Sequence, residues 1–221
     1  MIVAVDGPAG AGKSTVSKLL AKKIGFLYID TGAMYRALTL KTINTSCAIQ
    51  DEKSIIGIAE NTKIELKNVD AELKVYLDGE DVSLEIRQPK VTKFVSDIAK
   101  IKKVREVMFK LQRSLGESQD SVLDGRDIGT VVFPDADLKF YLDANFNERV
   151  NRRYKELSGL KQDITPEGVS KDLNNRDTID STRSYAPLKR AADAIYIDTT
   201  NMSIDQVVQE MFNHINAKRN G

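Results

Sequence analysis

Eight consecutive residues, Gly7-Pro8-Ala9-Gly10-Ala11-Gly12-Lys13-Ser14, satisfy the pattern G-x-x-x-x-G-K-[ST]. With glycine at about 7% of residues generally, a chance match in a chain this long has odds on the order of 1%. The motif also follows a β-branched apolar run, Ile2 to Val5, and opens a helical pattern, as its mechanism requires. Glycines let successive backbone N–H groups turn inward around an anion, and the helix N-terminus adds about half a positive charge. Lys13 reaches the outer phosphates, and the Ser14 hydroxyl suits Mg2+. A glycine-rich turn with no ligand is the competing reading; motif and context together favour a nucleoside triphosphate site.

Binding leaves the use of the nucleotide open. No Asn-Lys-x-Asp guanine-reading motif is present, which argues against a GTPase, and the chain is small for a motor or transporter ATPase. Arginine usage points to phosphoryl transfer. Nine of the twelve arginines fall between Arg105 and Arg190, and the guanidinium fork matches phosphate oxygens two at a time where lysine does not. Arg149, Arg153, Arg176 and Arg183 lie in a polar stretch, residues 147–190, whose composition reads as a mobile lid able to close over phosphates. Two further turns follow strands: Asp30-Thr31-Gly32-Ala33-Met34-Tyr35-Arg36 and Asp124-Gly125-Arg126-Asp127-Ile128-Gly129-Thr130. Open α/β sheets bind ligands at that carboxyl edge. Asp30 could equally cap the following helix; an Arg-Asp pair between two glycines is harder to explain structurally.

The elements that must position these residues alternate. Strand, glycine turn, helix to Gly25, strand Phe26–Ile29 and a helix through Met34, Tyr35 and Leu38 predict a parallel sheet with crossover helices. Period-two spacing at Ile64, Leu66, Leu73, Val75, Leu77, Val82 and Leu84, with a turn at Asp78-Gly79, predicts an inserted antiparallel sheet over 62–86. Helices through Val91–Ile98 and Val104–Leu115 follow, then strands at 121–124, 138–142 and 195–198. A last helix starts from a Ser203/Gln206 capping box.

Composition excludes much else. With 33 Lys+Arg against 32 Asp+Glu, the chain lacks the basic excess of a nucleic-acid polymer binder. No apolar run approaches the roughly 18 residues of a membrane span, and the opening run stops at Asp6, too short for the core of a signal peptide. The expectation is a cytoplasmic α/β protein. Cys47 and His214 are single, so neither an internal disulfide nor a His/Cys metal cluster is expected.

Taken together, the motifs resemble those of the bacterial cytidylate kinases, a family of P-loop nucleoside monophosphate kinases. The likeness rests on Gly7–Ser14, Asp30–Arg36, Gly79–Ser83 with Ile86-Arg87, Val104–Glu106, Asp124–Ala136, and Arg176-Asp177 through Asp180 and Arg183 to Pro187-Leu188. It implies ATP with CMP or dCMP as substrates, Mg2+, and a P-loop fold with a five-stranded parallel sheet flanked by helices. It further implies a small antiparallel sheet inserted in the monophosphate-binding region and a helical lid. The core would be 1–32, 101–148 and 190–221, the monophosphate region 33–100 and the lid 149–189.

Carried over by position, the resemblance assigns ATP to Gly7, Pro8, Ala9, Gly10, Ala11, Gly12, Lys13, Ser14 and Thr15, with Arg149 flanking the adenine. It assigns the cytosine to Ser96, Arg105 and Asp127, the acceptor phosphate to Arg126 and Arg176 near Thr31, Tyr35 and Arg36, and the sugar to Asp180 and Arg183. Lys13, Arg126, Arg153 and Arg176 would carry the transfer, with Ser14 on the metal. Cytosine's amino donor beside acceptor atoms does ask for a carboxylate next to basic or hydroxyl donors. The reading is therefore a monomeric CMP/dCMP kinase of the cytoplasm. A P-loop kinase of a hydroxyl-bearing metabolite, with Asp30 as base, and a non-catalytic nucleotide switch are the alternatives.

Overall fold

The computed structural model describes residues 1–69, 72–159 and 164–220. β1 (Ile2–Asp6) is almost wholly buried, as a central parallel strand of continuous apolar residues must be. α1 (Lys13–Ile24) follows it, ended by Gly25 at φ 73° with its N–H on the Ala21 carbonyl. Next come β2 (Leu27–Asp30), α2 (Thr31–Asn44), α3 (Glu52–Glu60), β3 (Ile64–Val69), β4 (Glu72–Leu77), β5 (Glu80–Asp81), α4 (Pro89–Ala99) and α5 (Lys102–Gly116). The chain continues through β6 (Ser121–Gly125), β7 (Leu138–Asp143), α6 (Phe146–Gly159), α7 (Pro166–Thr182), β8 (Ile195–Asp198) and α8 (Ile204–Asn220).

The five-stranded parallel sheet has the order β2-β6-β1-β7-β8. In its register Val5 pairs with Asp124 and Asp6 with Gly125. The phosphate-loop motif and the Asp124–Thr130 turn therefore leave the sheet from neighbouring strands at the same level. The three-stranded antiparallel sheet β3-β4-β5 is also present, as the period-two pattern predicts. Its second turn is built on Asp78 (φ 52°) and Gly79 (φ 95°), the left-handed pair that a tight hairpin requires.

Chain contacts divide the molecule into two compact units, Met1–Tyr28 with Gly116–Gly221, and Ile29–Leu115. In the first, α1 packs on β6 and α8, and Val3, Ala4, Leu20, Leu123, Phe140, Leu142 and Met211 are buried to within 1%. In the second, α2 packs on α3 and α4, around Met34, Leu38, Ile55, Ile98 and Met108.

One expectation needs correction, and one element was not anticipated. The antiparallel sheet stops short of 86, because the Asp81 carboxylate accepts from both the Ser83 N–H and hydroxyl and turns the chain. Leu84, expected in a strand, is 80% exposed, and Glu85–Arg87 form a 3₁₀ turn. α3 went unread although Asp51 caps it through the Ser54 N–H, because only Ile55 and Ala59 of its apolar residues are buried and its period is short. The polar 147–190 stretch holds two regular helices, α6 and α7, in keeping with the helical region the resemblance implies. α6 and α7 share an apolar seam of Val150, Leu157, Val169 and Leu173, backed by Ala9.

Candidate active site

The loop between β1 and α1 is held open by close backbone approaches. Gly7 (φ 148°) passes so near β7 that a Cβ there would lie 1.9 Å from the Leu142 carbonyl oxygen. Gly10 (φ 79°) meets the Arg149 backbone, 3.0 Å from a built Cβ to its carbonyl oxygen. Lys13 is 5% exposed and donates to the Pro8 carbonyl at 2.8 Å. Burial, then the neighbouring Arg126 guanidinium, pulls its ammonium down to about 7. A polyphosphate in the loop would supply the opposite charge that restores it.

Ser14, the second residue of α1, donates its hydroxyl to Asp124 Oδ2 at 2.7 Å, while Tyr28 donates to Asp124 Oδ1 at 2.8 Å. Ser14 and Asp124 are hard oxygen donors at a helix N-terminus. Among the described residues no group of three or more His, Cys, Asp or Glu could hold a metal. Mg2+ needs no such group, since it keeps several waters and takes phosphate oxygens, so the pair fits it. Asp124 stands outside the expected site residues, although the sequence shows it as the acid near the end of a strand and at the start of the Asp124–Thr130 turn.

One residue further, Arg126 donates from Nε to Asp180 Oδ2 at 2.9 Å. Arg183 NH1 lies 3.5 Å from Asp180 Oδ1, and its NH2 lies 3.7 Å from Asp127 Oδ1. Burial alone would raise Asp180, but Arg126, Arg183 and Arg176 outweigh it and hold the carboxyl below its usual range. Arg176, on α7, has its guanidinium pulled below its usual value by burial and by the charges of Arg126 and Arg153. Arg153 pairs with Glu156 at 2.8 Å. The Nε atoms of both Arg153 and Arg176 are buried with no hydrogen-bond partner among the described residues. Guanidiniums crowded in this way call for an anion.

Arg149 is 8% exposed and braced: Nε donates to the Ala144 carbonyl at 3.1 Å and NH1 to the Ala9 carbonyl at 3.0 Å. The same guanidinium pairs with Asp177 of α7, whose other oxygen accepts from Ala9 N–H at 3.3 Å. Arg152, absent from the expected set, donates to the Thr199 hydroxyl (2.9 Å) and carbonyl (2.6 Å). Asp177 and Arg152 were not legible because their partners lie far away in sequence.

In the second unit, Asp30 caps α2 through Ala33 N–H at 2.8 Å, which is the capping reading of that acid. Thr31 and Tyr35 follow one turn apart on α2, both buried. Arg36 donates to the Thr92 hydroxyl at 2.8 Å. Arg105 is 1% exposed, donates to the Ala99 carbonyl at 3.0 Å and lies over the rings of Tyr35 (5.3 Å) and Phe109 (5.2 Å). Ser96, on α4, is buried as well.

A phosphate loop at the carboxyl edge of a five-stranded parallel sheet, with a Ser–Asp pair and a crowd of arginines beside it, defines a P-loop kinase fold. Solved structures agree on the fold. A shikimate kinase from Bacteroides thetaiotaomicron matches with a TM-score of 0.50 at 12% identity, covering 98% of both chains. An uncharacterised protein from Eubacterium ventriosum matches at 0.53 and 11%, also covering 98% of both. Sequence comparison is narrower: residues 3–217 match the cytidylate kinase family. The cytidylate kinase of Clostridioides difficile is 50% identical over 98% of both chains. That of Caldanaerobacter subterraneus is 48% identical over 99% of this chain and 96% of the relative. The chain belongs to the cytidylate kinase family.

Proposed function

We infer that the chain phosphorylates CMP and dCMP with ATP, giving CDP and dCDP by phosphoryl transfer between nucleotides. The observation that carries this reading is the register of β1 and β6. Val5 opposite Asp124 and Asp6 opposite Gly125 send the phosphate loop and the Arg126-Asp127 turn out side by side. Donor and acceptor groups on adjacent turns are what an in-line transfer needs.

ATP lies with its phosphates in Gly7–Thr15, and Arg149 braces the loop from the donor side. Ser14 and Asp124 would hold the Mg2+ that comes with ATP, which when bound neutralises charge on the phosphate oxygens. Arg126 and Arg176 take the acceptor phosphate, Asp180 and Arg183 the sugar, and Asp127 with Ser96 and Arg105 the cytosine. Thr31, Tyr35 and Arg36 complete the acceptor region. Lys13 and Arg153 offset charge on the migrating group. The acceptor phosphate has a second pKa near 6, so at pH 7–8 it is already a nucleophile and no side chain has to remove a proton. Alignment and charge neutralisation then supply the catalysis.

In this reading 1–32, 101–148 and 190–221 are the core, 33–100 the acceptor region and 149–189 the lid. The enzyme acts as a cytoplasmic monomer on small nucleotides, with no nucleic-acid polymer as partner. No helix among the described residues is long and apolar enough to cross a membrane.

Coupled measurement of ADP release against CMP, dCMP, UMP, AMP and shikimate tests it. Turnover concentrated on CMP and dCMP is expected. Turnover on shikimate without CMP would move the hydroxyl-kinase reading ahead, and none with any acceptor would make the protein a switch.

A further inference from the structure

Asp6 closes β1 immediately before the phosphate loop and is 4% exposed. Its carboxylate reaches the neighbouring turn. Oδ1 accepts from Ile128 N–H at 2.8 Å and Oδ2 from Gly129 N–H at 2.7 Å. These are the first two amides of the π-helical turn Ile128–Val132. The first amides of any helical turn lack partners within it and are ordinarily satisfied by the side chain of the capping residue.

Here the capping position belongs to Asp127, which makes no side-chain cap bond; one of its oxygens instead lies 3.7 Å from Arg183 NH2. An aspartate is among the best caps, so its failure to cap has to be explained by something else filling the role. Asp6 fills it from a different strand, with two charge-assisted bonds where a local cap supplies one or two. A Cβ at Gly129 would make ordinary contact with Asp6 Oδ2 at 3.4 Å but would crowd Lys139 Cδ at 3.0 Å.

We propose that Asp6 is a positioning residue for acceptor-base selection: by capping the Ile128–Val132 turn in place of Asp127, it directs the Asp127 carboxylate away from its own helix and toward the base. The inference rests on the reading of Asp127 as the cytosine-contacting group. It assigns specificity to a residue that touches no substrate and sits one position from the donor loop.

The test uses Asp6→Asn, which keeps the shape but has one acceptor for two amides, so Asp127 becomes a competing cap. Full-length protein is assayed for kcat and KM with CMP, UMP and ATP, with thermal unfolding to fix the folded fraction. The expected result is a fall of about tenfold or more in the CMP-to-UMP ratio of kcat/KM, from the CMP side, with KM for ATP within about twofold of wild type. Gly129→Ala, whose Cβ would crowd the Lys139 stem at 3.0 Å and shift the turn that Asp6 caps, should move the ratio the same way and serves if Asp6→Asn folds poorly. Asp127→Ala is the control. If Asp127→Ala narrows the ratio and neither other variant does, the positioning role is wrong and the base reading stands. If Asp127→Ala leaves the ratio unchanged, the base reading fails and this inference with it. Equal losses for CMP and UMP in both Asp6→Asn and Gly129→Ala would make the contact merely structural and overturn the proposal.

Discussion

Arg126 and Asp180, 54 positions apart, are joined Nε to Oδ2 at 2.9 Å. The pair ties the turn after β6 to the second half of α7. The Asp180 carboxylate thus sits on the guanidinium proposed above for the acceptor phosphate. The same carboxylate also faces Arg183.

Asp180→Ala should take this ion-pair partner from Arg126 and leave Arg183 with Asp127. Removing one partner of a buried pair typically costs about 3 kcal/mol or more. We expect a clear drop in melting temperature, and a larger recovery on adding millimolar inorganic phosphate than wild type shows. If phosphate shifts both proteins equally, these arginines do not form an anion site.

Lys13→Ala should lower kcat by about 10²-fold or more while the protein remains folded. The lysine donates to a carbonyl in its own loop, Pro8 at 2.8 Å, so little of the fold depends on it. Retention of more than about a tenth of wild-type turnover would remove Lys13 from transition-state stabilisation.

Asp30→Asn separates transfer to a phosphate from transfer to a hydroxyl. Asp30 caps α2 through Ala33 N–H, and asparagine caps about as well as aspartate. Activity should fall only modestly, and the acidic limb of the pH–rate profile should keep its wild-type midpoint. Loss of that limb would mean that Asp30 accepts a proton during the reaction.

Asp6 also makes stability depend on pH. Burial raises its carboxyl from the usual 3.8 to about 6, Asp127 raising it further and the two turn amides and Lys13 opposing. A carboxyl raised on folding contributes stability that is present below the unfolded value and lost as pH rises through the folded one. The stability of wild type relative to Asp6→Asn should therefore fall by up to about 3 kcal/mol between pH 4 and pH 7. Urea unfolding of both proteins across that range measures it; a constant difference would mean that folding leaves the Asp6 carboxyl at its unfolded value.

Local chemistry was legible in the sequence where one short segment carries it. The capping box is made in both directions, Gln206 N–H to Ser203 Oγ at 3.2 Å and Ser203 N–H to Gln206 Oε1 at 2.8 Å. Gly7–Ser14 likewise needs only its own spacing to be recognised. What spacing cannot show is which distant side chain completes a local group. Asp124 on Ser14, Asp177 on Ala9 and Arg152 on Thr199 each pair across 47 to 168 positions. Asp6 read as a strand terminator because its partners, Ile128 and Gly129, are more than 120 positions away.

The alignment of β6 against β1 acts as a vernier for the chemistry. Ser14 meets Asp124 only because Val5 stands opposite Asp124. Sliding one strand by a single residue would carry the acid about 3.3 Å along the sheet and turn it to the other face. Length changes between Glu117 and Asp120, ahead of the strand, leave that setting alone, whereas one residue inserted within Ser121–Leu123 resets it. The indel tolerance of this chain should then change abruptly at Ser121, a boundary drawn by strand alignment rather than by burial or by distance from the nucleotide.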